Sequence, residues 1–302
     1  MHRRKLGLGD LLLVVVVIVW GINVPLTKIL LNQLTPVQII GLRWPPFALS
    51  LIVVLLAMRR RWRIRRRDLW WLVLLAVPGV AANQFLWVTG LDSTLPSRSS
   101  LIFSSAAVVA PLLAPLFGGA PLRRIGWTGV GIALFGLYIV LSKGFSEGLL
   151  NSPTSRGDFL TFCSALCVAL FTAASRPFIR RYGSVTFTTY AIVLGAVFIA
   201  PIATRSALRA DFASLSLVSW LCLGHMIFLG GTVGFLCWFA GVSRIGPART
   251  AVYQCLIPVM AVAASAVLVN DRLSVTQLLG AAIALGGVLL ARTDVGAESN
   301  NK

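Results

Sequence analysis

The chain has 302 residues, 57% of them hydrophobic and 12% charged. Its apolar residues gather into segments of about 20, long enough to cross a bilayer core, and a soluble protein of this size would need a polar surface that such a sequence cannot supply. The net charge of +18 falls in short basic bursts between apolar runs, which suits contact with membrane lipids and their anionic headgroups and argues against nucleic acid.

Ten spans are predicted in order along the chain, and their length makes them helices rather than barrel strands. The first, Asp10–Leu31, is not a cleaved signal, since no small-residue cleavage pattern follows it. The stretch from Trp20 through Gly21, Ile22 and Asn23 to Pro25 is expected to interrupt it. The second, Pro36–Met58, carries Arg43 and the helix-bending pair Pro45 and Pro46. An arginine-rich stretch, Arg59 to Arg67, precedes the third span, Leu69–Leu91. The fourth is Ser97–Gly118 and the fifth Ile125–Ser142. A polar link rich in Ser, Gly, Asn and Pro then separates the halves. The sixth to tenth spans fall at Asp158–Phe178, Val185–Thr204, Leu217–Gly241, Pro247–Val269 and Leu273–Arg292.

Gly230 to Arg292 reads as a second copy of Gly79 to Leu141. Sliding the sequence along itself by roughly 150 residues sets Trp87 on Trp238, Gly90 on Gly241, Pro96 on Pro247 and Arg98 on Arg249. Further along, Leu122 falls on Leu273, Gly129 on Gly280 and Gly136 on Gly287. Two apolar helices in chance register would put Leu on Leu, but would not align Trp, Pro and Arg. Internal repeats of hydrophobic segments are characteristic of transporters. Lys and Arg in short loops set orientation. Placing His2, Arg3, Arg4 and Lys5 in the cytoplasm also places Arg59–Arg67, Arg123, Arg124, Arg180, Arg181 and Arg244 there. Both termini are then cytoplasmic and, with five spans per half, the second copy is inserted upside down. The expected fold is an all-α integral membrane protein with ten transmembrane helices in two inverted five-helix repeats. Residues 1–142 form the first repeat, 143–157 an extracytoplasmic linker, 158–292 the second repeat and 293–302 a cytoplasmic tail.

On these features the sequence resembles the drug/metabolite transporter superfamily, specifically the EamA family. The resemblance rests on Trp20 to Asn23, on Arg43 and on the segment Gly90–Arg98. It also rests on the segment's twin Gly241–Arg249, on Pro258, on the turn Asn270–Leu273, and on Gly280, Gly286 and Gly287. Where the family often carries Glu, this chain has Asp271 in one half and Ala120 in the other. The resemblance implies a basket-like bundle with a central cavity lined by the first four spans of each repeat. The fifth and tenth spans would lie at its edge, where they could support a homodimer.

Polar groups buried in hydrocarbon are costly and mark pathways. The candidate substrate-binding residues are Trp20, Asn23, Arg43, Asn83, Gln84, Trp87, Ser104, His225, Trp238, Tyr253 and Gln254, with Ser105 and Trp44 beside them. For Asn and Gln the competing reading is a bond to a neighbouring helix, for the Trp residues packing, and for His225 a satisfied core histidine. Lys28 and Arg176 read as snorkelling near helix ends. Arg98 and Arg249, at helix starts, read as loop anchors. The five cysteines lie inside apolar segments without the His or third Cys that a metal site needs. No cofactor is expected. No carboxylate sits in the middle of a span, which argues against central-carboxylate proton exchange, and no Walker loop is present to bring ATP. The expected function is a secondary transporter in the plasma (inner) membrane exporting a small-molecule substrate, an amino acid or related metabolite, by alternating access. Export or uptake of another metabolite or drug-like solute stands as an alternative. A membrane-embedded enzyme of lipid metabolism is more remote, since no acidic or histidine cluster marks one face.

Overall fold

The computed structural model describes residues 7–57, 64–118, 122–141, 153–245 and 247–299. Long apolar runs leave the backbone no partner but itself in a membrane, and every regular element among the described residues is helical. Eight helices are long and apolar enough to cross a membrane: α1 (Leu8–Leu30), α2 (Pro36–Ala57), α3 (Arg66–Asp92), α4 (Pro96–Phe117), α5 (Arg124–Leu141), α6 (Ser155–Tyr182), α7 (Ser184–Ala207) and α8 (Leu217–Ile245). Helices α9 (Pro247–Leu268) and α10 (Val275–Ser299) follow, with shorter apolar stretches at Tyr253–Leu268 and Val275–Ala291.

Local chemistry sets where these helices begin. Thr35 and Gln38 form a reciprocal capping box at the start of α2, with Gln38 Oε1 accepting from Thr35 N at 2.9 Å, and Pro36 fills the first helical position. Ser274 and Gln277 do the same for α10, at 3.0 and 3.3 Å. Ser216 Oγ accepts from Ser219 N at the start of α8. Helix α4 borrows its cap from the far half of the chain, since Ser97 N donates to Asp271 Oδ2 at 2.8 Å. Gly183, at φ +80°, makes the turn between α6 and α7, a conformation that costs glycine little.

Two of the long helices carry a π-helical segment, Val77–Ala82 in α3 and His225–Val233 in α8. Their last residues, Ala82 and Val233, fall on one another in the register that aligns Trp87 with Trp238. The helix is otherwise more continuous than expected: α1 passes through Pro25 and α2 through Pro45 and Pro46 without a break. Packed neighbours can re-satisfy the backbone groups a proline frees, and in lipid there is no bulk water to complete the opening.

Helix α5 packs on α10, α2 on α7, α1 on α8 and α9, and α6 on α3 and α4. Exchanging each helix for the one five places along leaves this set of partnerships unchanged. The α5–α10 contact follows the same exchange at atomic detail. A Cβ on Gly136 would lie 2.2 Å from Ala284 N, and one on Gly287 would lie 2.3 Å from Ala133 N. Gly129 faces Gly287 and Ala291 while Gly136 faces Gly280 and Ala284, so the two helices run antiparallel with backbone against backbone.

The main core gathers Val24, Ile39, Trp44, Phe47, Val80, Trp87, Ile192, Ile199 and Met226 between α1, α2, α3, α7 and α8. Large apolar side chains also cover the outside. Trp70, Leu116, Val267 and Leu279 are 74%, 75%, 83% and 60% exposed, a surface that suits lipid and not water.

Polar clasps close each end of the bundle. At the end where α1 finishes, Lys28 Nζ donates to the carbonyls of Leu91, Asp92 and Thr94 at 2.8, 2.8 and 3.0 Å. There Arg98 pairs with Asp158 at 2.5 Å and donates to Leu141 O at 3.1 Å. Thr94 and Thr154 hydroxyls donate to the same carboxylate. At the other end Tyr253 Oη donates to Asp10 Oδ1 at 2.9 Å, and Asp68 accepts from Arg181 and from the Tyr182 hydroxyl. The sequence readings made on His2–Lys5, on Arg59–Arg63, on Ala120, on residues 143–152 and on the Arg249 side chain lie outside the described residues.

Candidate functional site

The π segment of α8 is the structural centre of the site. A π turn widens the helix and leaves its carbonyls imperfectly used, and such segments recur at functional positions. Gly230 lets α1 approach: Trp20 Nε1 donates to Gly230 O at 2.8 Å, and a Cβ at Gly230 would lie 2.3 Å from Asn23 Nδ2. His225 Nε2 meets Val19 O at 3.2 Å. Thr27 donates to Asn23 O at 2.7 Å and reaches Met226 Sδ. Helix α2 comes from the other side, with Phe47 against Gly231 and Ser50 bonded to Thr232.

Aromatic rings enclose this junction. Trp20 lies 5.2 Å from Phe235 and 5.5 Å from Trp238 between ring centroids. Phe47 joins Phe235 at 5.6 Å and Trp44 at 5.7 Å. Trp44 Nε1 donates to Gln84 Oε1 at 3.3 Å, tying α2 to α3. The Arg43 guanidinium carbon sits 5.9 Å from the Trp44 ring centroid, within cation–π reach. Two buried polar atoms here have no hydrogen-bond partner, Asn23 Oδ1 and Arg43 Nε.

The structure thus brings together Trp20, Asn23, Arg43, Gln84, His225 and Trp238 of the sequence candidates. The other candidates make their own contacts elsewhere, except that Trp87 shares the main core with Trp44 and Phe47. Asn83 Oδ1 accepts from Ser164 Oγ at 2.6 Å and fixes α3 to α6. Trp87 is buried beside Phe103, at 6.5 Å between centroids. Ser104 Oγ donates back to Leu101 O beside a small apolar cleft lined by Ser105, Ala133, Leu137 and Val288. Tyr253 was expected at the centre but reaches Asp10 at the bundle end, because it lies less than two helical turns into α9. Gln254, beside it, is exposed.

Sequence reasoning passed over the π segment itself and the rings of Phe47 and Phe235. Gly230, Gly231 and Gly234 in one short stretch were the available signal. The two halves also differ at the junction. Gly79, the counterpart of Gly230, meets Phe171 of α6 where Gly230 meets Asn23 of α1. The polar groups are therefore concentrated on the α1–α2–α8 side.

Comparison with known proteins agrees with this picture of a helical membrane protein. The model of the EamA-like transporter family matches residues 7–142 and 155–293. An uncharacterised transporter of Bacillus subtilis, YyaM, is 26% identical over 72% of each chain. A probable terminal-alkyne amino-acid exporter of Streptantibioticus cattleyicolor is 25% identical over 95% of this chain and 94% of its own. A probable amino-acid metabolite efflux pump of Escherichia coli is 24% identical over 95% and 94%. One solved crystal structure shares the fold with a TM-score of 0.65, at 17% identity over 95% of this chain and 98% of that one. The two stretches matched by the family model together span most of the chain, one in each half, and the protein belongs to the EamA-like transporter family.

Proposed function

We propose that this membrane transporter is a secondary carrier that exports small amino acids or related metabolites. Two inverted five-helix halves rock about a central site, and ten helices cross the plasma membrane with both termini in the cytoplasm. Substrate binds beside the π segment of α8, between Trp20 and Asn23 of α1, Arg43 of α2, Gln84 of α3, and His225 and Trp238 of α8. Amide groups there offer both donors and acceptors to a zwitterion, and aromatic faces suit an ammonium group.

The observation that carries this reading is the set of helix partnerships, which maps onto itself when the halves are exchanged. Such an arrangement gives inward-open and outward-open states of related geometry from a single fold. The substrate class is supported by the names of two full-length relatives, one a probable amino-acid exporter and the other a probable amino-acid metabolite efflux pump. The test is export of labelled amino acids from loaded cells with and without the protein, followed by efflux from vesicles reconstituted with it. Faster release of at least one amino acid than in protein-free controls is expected. Equal release of all of them would remove amino acids from the reading.

A further inference from the structure

We propose that Arg43 supplies the counter-charge for a substrate carboxylate, so that the transporter selects solutes carrying a carboxylate over the corresponding amides and amines. Arg43 is the eighth residue of α2, about 10 Å along the helix from its first residue. A guanidinium at such depth is expensive unless it finds a partner or water. The carboxylates whose side chains the structure describes are held by other groups or stand at a helix end. Asp10 holds Gly7 N and Tyr253. Asp68 holds Arg181 and Tyr182, and Asp158 holds Arg98. Asp271 caps α4, Asp211 accepts from Ala213 N in a loop, and Asp92 is exposed at the end of α3. What the bundle offers Arg43 is the face of Trp44, while its Nε is buried without a hydrogen bond.

The second unfilled atom has the opposite character. Asn23 Oδ1 is a buried acceptor without a donor, pressed against Gly230. Arg43 lies one helical turn before Phe47 on α2, and Phe47 packs on Gly231 of the same α8 segment. An unused cationic donor and an unused acceptor beside one aromatic enclosure are complementary to a zwitterion. Its carboxylate meets Arg43, its ammonium meets Asn23 Oδ1, and its side chain lies among Trp20, Phe47 and Phe235. Charge-assisted hydrogen bonds to a guanidinium are about twice as strong as neutral ones, so the carboxylate is the dominant handle.

This assignment rests on the central site proposed above, and the experiment separates the two. Binding to the purified full-length protein in detergent is measured by calorimetry and melting for three probes that share one ring: L-phenylalanine, 3-phenylpropanoate and L-phenylalaninamide. Glycine, acetate and glycinamide form a second, smaller series. The wild type is expected to bind the carboxylates at least about tenfold more tightly than the amides, equal to about 1.4 kcal/mol. Arg43→Gln should abolish that preference and Arg43→Lys should keep part of it. Without ligand, Arg43→Gln should melt no lower than the wild type, because it removes a buried charge that has no carboxylate partner. A wild type that binds amides as well as acids, or binds none of the probes, would overturn the assignment. So would an Arg43→Gln variant that melts lower and keeps the preference. If Arg43 governs acid over amide binding while no amino acid is exported, the export reading fails and Arg43 stands. If amino-acid export is undiminished in Arg43→Gln, the reverse holds.

Discussion

Replacing Asp158 with Asn should destabilise the bundle more than replacing its partner Arg98 with Met. Arg98 is 1% exposed and the Asp158 side chain 10%, so both charges are held away from water. In Asp158→Asn the shape is kept but the guanidinium loses its counter-charge. It retains only neutral acceptors, Leu141 O and the amide oxygen that replaces the carboxylate, with Nε and Nη1 already unpaired. Breaking a buried pair in this way costs about 3–5 kcal/mol. In Arg98→Met the carboxylate keeps the hydroxyls of Thr94 and Thr154 and the small exposure that lets water reach it. The loss there is nearer the worth of one charged hydrogen bond, about 1.5–3 kcal/mol. The double variant Arg98→Met with Asp158→Leu leaves no orphan charge and should recover most of either loss, a coupling that single substitutions cannot report. Thermal unfolding of the purified protein in detergent gives the order. An Arg98→Met variant less stable than Asp158→Asn, or a double variant worse than both, would refute the reasoning.

Other outcomes follow from the same geometry. Trp20→Phe keeps an aromatic ring but loses the larger indole and the N–H that bonds Gly230 O; it should cost at least about 0.5–1.5 kcal/mol and slow transport severalfold, read from vesicle efflux alongside melting. Gly136→Val and Gly287→Val each force a side chain into the backbone of the facing helix. Each should lose about 1–3 kcal/mol or more, by similar amounts because the two contacts are equally close, at 2.2 and 2.3 Å, and a melting curve unchanged in either would argue against the seam. Arg66→Cys and Asp92→Cys, at opposite ends of α3, should react with impermeant reagents from opposite sides of the membrane in a background lacking native cysteines. Arg66→Cys should label from the cytoplasm; labelling from outside would reverse the proposed orientation.

The lengths of the apolar runs located the helices closely, because in lipid the end of an apolar stretch is also the end of a span. Arg98 was legible as an anchor from its place at a helix start, but its partner was not. Asp158 lies 60 positions away, and no local pattern links them. The prolines misled in α1 and α2, since the rule that proline breaks helices assumes water is ready to take the freed carbonyl. The π segment of α8 contains no proline, so the signal that marks most breaks was absent where the helix departs from α geometry. Tyr253 and Gln254 were drawn to the centre by the chemistry of their side chains. Their position in the first turns of α9 put them at the end of the bundle instead.

For the proposed rocking, the seam between α5 and α10 has the build of a bearing. Where glycines bring two backbones into direct contact, few side chains interdigitate, Ile139 against Gly280 among them, and few have to be lifted out of one another when the helices slide. Pulling the helices apart, by contrast, forfeits the whole line of contact at once. Shear is therefore cheap along this line and separation is dear. In the rocking proposed above, motion of one half against the other would run over a joint that stays closed, and opening and closing of the bundle would fall to the polar clasps at its two ends.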